Sequence, residues 1–152
     1  MDWPDDLLSI LLAIILGAVI GLEREFSGKA AGLRTNVLIC LGAAVFTIIS
    51  KQMVTGTDGS VARIAAQIVT GVGFLGAGAI IQDRGGVHGL TTAATIWLVA
   101  SIGMACGAGF YRLAVVAALI AILVLLGLGK LARLLERHGG KHKLEITPDD
   151  QD

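Results

Sequence analysis

The residues that could do chemistry gather between two apolar runs, in the segment Gly21-Leu22-Glu23-Arg24-Glu25-Phe26-Ser27-Gly28-Lys29-Ala30-Ala31-Gly32-Leu33-Arg34-Thr35-Asn36. Glu25 and Lys29 stand four apart and would pair on a continuing helix. Glu23 at a helix C-terminal end is disfavoured by the macrodipole and needs a compensating cation, for which Arg24 and Arg34 are the candidates. Further along, Asp83 precedes the threonine-rich opening Gly89-Leu90-Thr91-Thr92-Ala93-Ala94-Thr95. The candidate functional cluster is therefore Glu23, Arg24, Lys29, Arg34, Thr35, Asp83, Thr91 and Thr92; the plain alternative is a solvated loop carrying orientation charges. A Mg²⁺ site, which wants oxygen ligands and several waters, would draw on Glu23, Glu25 and Asp83. No other metal pattern, nucleophile–base pair or zinc motif stands out, so the chain reads as no enzyme, with no cofactor unless Mg²⁺ binds.

Two letter-matches dissolve on inspection. Gly28-Lys29 lacks the earlier glycine and the following Ser or Thr of a phosphate loop, having Glu23 and Ala30 there. Gly71-Val72-Gly73-Phe74-Leu75-Gly76 has dinucleotide-loop spacing but lies inside an apolar run with no strand before it. Its glycines fit helix packing instead: Gly71, Gly73, Gly76 and Gly78 give that run small faces, and Gly17 and Gly21 satisfy the G-x-x-x-G spacing in the first run. Such faces serve helix crossings within one bundle or between copies, which makes a homo-oligomer one expectation. Arg63 and Gln67 are the polar residues of the third run; Arg63 snorkels outward or forms an ion pair, and Gln67 hydrogen-bonds another helix.

The elements that position these residues are membrane helices. Apolar residues make up 55% of 152, charged residues 16%, and mean hydropathy is +0.79, against about 25% charge in an ordinary soluble domain. Five apolar stretches, about 7–22, 33–50, 61–81, 90–107 and 111–129, approach the roughly 20 residues that cross a bilayer. This predicts an all-α integral membrane protein, a compact five-helix bundle over residues 1–138 with a polar cytoplasmic tail over 139–152. Re-entrant or interfacial placement remains the alternative for the third and fourth stretches. The acidic start, Asp2, Asp5 and Asp6, is unlike a secretory signal, so the first helix is expected to stay.

With the N-terminus outside, the inner segments hold Arg24, Lys29, Arg34, Arg84, Lys130, Arg133, Arg137, Lys141 and Lys143, and the outer ones Lys51, Arg63 and Arg112. That asymmetry predicts N-terminus out and C-terminus in. Lys130, Arg133 and Arg137 share a helix face and read as anchors on anionic lipid or as a docking face. The bilayer is the expected partner and nucleic acid is not. Cys40 and Cys106 are expected well over 10 Å apart in depth at about 1.5 Å per residue, too far to bridge. Trp97, seven residues into its run, is expected to pack inside.

No acid falls in the middle of a span, which argues against a self-sufficient cation carrier. A transporter or channel along the third and fourth helices is the competing class. The motifs Gly-Leu-Glu-Arg-Glu at 21–25, Gly32-Leu33-Arg34-Thr35, Gly71 to Gly78 and Gly89-Leu90-Thr91-Thr92-Ala93 closely resemble the MgtC/SapB family, over about residues 7–129. The resemblance implies a multi-pass protein of the bacterial inner membrane, tied to magnesium homeostasis and to low-magnesium or acid stress. It also implies regulatory contact with other membrane machines such as an F-type ATP synthase, rather than magnesium transport. Many members continue into a soluble C-terminal domain that these 152 residues do not include.

Overall fold

The computed structural model describes residues 3–53, 60–83 and 86–139. Five helices follow in order: α1 Trp3–Phe26, α2 Leu33–Met53, α3 Ser60–Gly78, α4 Leu90–Ala108 and α5 Tyr111–Gly139, with a two-stranded antiparallel hairpin, β1 Ile81–Asp83 and β2 Gly86–His88, between α3 and α4. Among the described residues, α1, α2, α4 and α5 are long and apolar enough to cross a membrane, and α3 contributes a shorter apolar stretch, Ala65–Gly78. The third run therefore ends three residues before the expected Ile81, which belongs to β1 instead. The helix closes on tight turns in which the Ala79 and Ile80 N–H groups donate to the Gly76 and Ala77 carbonyls, each at 3.1 Å, and the chain then enters the hairpin.

Among the described residues, those up to Ile122 form one compact unit and those from Leu123 to Gly139 another. In the first, α2 lies between α1 and α4, and α3 packs on α4 and α2. Large apolar side chains cover the outside of this unit, although Leu16, Ile20, Ile96, Val99 and Ile102 are buried within it. On α1, Leu8, Leu11, Ile15, Val19 and Leu22 form an exposed stripe at helical spacing, while the small Ala13, Gly17 and Gly21 are buried. Lipid is as apolar as leucine, so large residues gain nothing by hiding from it and small ones bring backbones together.

The glycine contacts fix how the helices run. A Cβ on Gly17 would come within 2.9 Å of Cys40 Cβ, and one on Gly21 within 2.8 Å of Leu33 Cα, so α1 and α2 are antiparallel and nearly touching. Gly103 faces the Cys40 carbonyl and Gly107 the Ala44 carbonyl. These two pairs share one offset, so α2 and α4 run parallel, with the first turn of α4 level with the α1–α2 loop. That stagger corrects the expected depth of the cysteines. Cys106 lies three residues beyond Gly103, about 4.5 Å in rise from the level of Cys40, and both are buried free thiols. Trp97 is also corrected: it is 52% exposed and faces outward with the other large apolar residues.

At the end opposite the α1–α2 loop, short polar ties hold the helices together. Ser9 Oγ and Tyr111 Oη lie 3.0 Å apart, and Tyr111 Oη donates to the Asp5 carbonyl at 3.3 Å. Gln52 Nε2 donates to Asp6 Oδ2 at 2.7 Å, and Lys51 Nζ reaches the final carbonyls of α4, Gly107 and Ala108, at 3.4 Å. A cation there complements the negative end of the helix dipole.

Candidate functional site

α1 does not stop at Leu22. It runs on through the charged segment to Phe26 because Glu23 has its cation beside it: Arg24 Nη2 donates to Glu23 Oε1 at 2.7 Å and Arg24 Nε donates to Glu23 Oε2. Ser27 Oγ donates to the same Glu23 Oε1 at 2.8 Å. Arg24 is only 4% exposed. A guanidinium that buried is tolerable because the carboxylate meets its fork with two parallel bonds.

The chain then turns tightly. Gly28 takes φ 65°, a left-handed conformation that a residue with a Cβ rarely adopts, and the Lys29 N–H donates to the Arg24 carbonyl at 3.0 Å. Glu25 does not use Lys29 to fix this turn. Its Oε2 accepts the Leu33 N–H at 2.9 Å, placing a negative charge on the N-terminus of α2 from eight residues back. A side chain at Gly32 would occupy the space of that carboxylate. Ala31 is buried in a cluster with Ile68, Val72 and Ile96, so the loop is packed down against α3 and α4.

Asn36 completes the arrangement and escaped the sequence reading. It is fully buried, and its Nδ2 donates to the Ala31 and Gly32 carbonyls, both at 2.8 Å, while Oδ1 has no partner. The available signal was an amide in the first turn of an otherwise apolar helix. Gly103 and Gly107, which carry the same G-x-x-x-G spacing as Gly17 and Gly21, are pressed against α2 in the same way.

The remaining expected residues divide. Lys29, Arg34, Thr35 and Thr91 are exposed, whereas Thr92 is buried, as is Thr95, whose hydroxyl donates to the Thr91 carbonyl at 2.8 Å. Asp83 lies in the hairpin, 3.5 Å from His88 Nε2, with both side chains more than half exposed. Among the described residues no three of His, Cys, Asp and Glu come together as metal ligands. The suggested grouping of Glu23, Glu25 and Asp83 is thus not assembled: Glu23 serves Arg24 and Ser27, Glu25 serves α2, and Asp83 faces His88.

Of the glycines on α3, Gly76 is in ordinary contact with Ala93 of α4. At Gly71, Gly73 and Gly78 a Cβ would meet nothing within 4 Å. Gln67 is exposed on the same helix, and the side chain of Arg63 lies outside the described residues, as do Arg84 and the tail from 140 onward. The loop end is thus an ordered platform, its inner pair satisfied and its rim carrying two exposed cations, Lys29 and Arg34.

Residues 10–134 match the profile described as the MgtC family. The chain belongs to that family. It is 49% identical over 124 residues to Protein MgtC of Brucella abortus, covering 82% of this chain and 51% of that protein. With Protein MgtC of Salmonella typhimurium it shares 51% identity over 114 residues, 75% of this chain and 48% of the relative. An uncharacterized protein of Synechocystis is 40% identical over 146 residues, 96% of this chain and 61% of its own length. The chain therefore spans about half the length of the MgtC proteins it matches. No solved structure matches it.

Proposed function

We propose that this MgtC-family chain is a non-enzymatic, multi-pass protein of the bacterial inner membrane that modulates partner membrane complexes, and through them magnesium or other ion homeostasis under low-magnesium or acid stress. An ATP synthase is one such partner. On this reading α3 is a fifth span, the N-terminus is outside, and the α1–α2 loop faces the cytoplasm.

The observation that carries the reading is the use made of the carboxylates at the loop end. Glu23 is held by Arg24 and Ser27, and Glu25 by the N-terminus of α2. Asp5 and Asp6 lie at the opposite end, and Asp83 is in the hairpin, so no described acid stands in mid-span where a carried cation would need one. Fixed internal pairs with exposed Lys29 and Arg34 around them suit docking, since rim charges govern partner choice and encounter rate.

The test is affinity purification of the tagged chain from its native membrane, beside Lys29→Glu and Arg34→Glu. Both positions are exposed, so the variants should fold and insert normally. The expected result is a defined membrane complex recovered with the wild type and reduced about tenfold or more by either charge reversal. Recovery of the same proteins at wild-type levels with both variants would refute the docking role of the loop.

A further inference from the structure

We draw no further inference here: the strongest candidate, the open apolar groove of about 600 Å³ between α2 and α3 that Leu38, Phe46, Gln67 and Leu75 line, carries none, because nothing in the structure shows what covers it.

Discussion

The glycines of α1 and α4 and those of α3 look alike in sequence and do opposite things. Gly17, Gly21, Gly103 and Gly107 are pressed against the backbone or first side-chain atoms of α2, while Gly71, Gly73 and Gly78 have nothing within 4 Å of where a side chain would begin. Small residues therefore carry two kinds of information in a membrane chain. Where the facing helix belongs to the same copy they set the fold, and where it does not they leave a surface for something else. A spacing rule identifies the small face but not what covers it.

The contrast breaks most sharply at Gly103. A leucine there would run into the Cys40 carbonyl, which is backbone and cannot swing aside, so Gly103→Leu should cost about 3 kcal/mol or more and leave little folded protein, as judged by the monodisperse fraction in detergent. Arg24→Gln comes next. It leaves the Glu23 carboxylate without its cation at a nearly buried site, at a cost of about 3 kcal/mol, readable as a lower thermal midpoint. Glu25→Ala, which removes only the acceptor at the N-terminus of α2, should cost about 1 kcal/mol by the same measurement. At the other extreme, Gly73→Leu should change monomer stability by less than about 0.5 kcal/mol. A large loss at Gly73, or none at Gly103, would erase the distinction between the two glycine groups.

Much of this architecture is legible in the residues. Apolar length and flanking charge locate all five helices, and both ends of α4 fall within a residue of expectation, because Gly89 and Gly109 mark its limits with positive φ. The hairpin is not legible in the same way: its strands are three residues each, too short for alternation to show. The cap that Glu25 gives to Leu33 spans eight residues and depends on how the turn at Gly28 aims the side chain, which no local pattern encodes. Nor does the sequence state the stagger of α2 against α4; it follows from where Gly103 and Gly107 meet carbonyls. The charged cluster was visible as a cluster. Its division into a buried pair, a helix cap and exposed cations emerges only once α1 is seen to continue to Phe26.

The central claim is that the chain works by contact at an ordered loop end and does not itself carry an ion. The most direct measurement is Mg²⁺ flux into proteoliposomes containing the purified chain, with Glu23→Gln beside it. The account predicts no saturable, protein-dependent flux for either. Saturable Mg²⁺ uptake by the wild type that disappears in Glu23→Gln would contradict it and make the bundle a transport pathway.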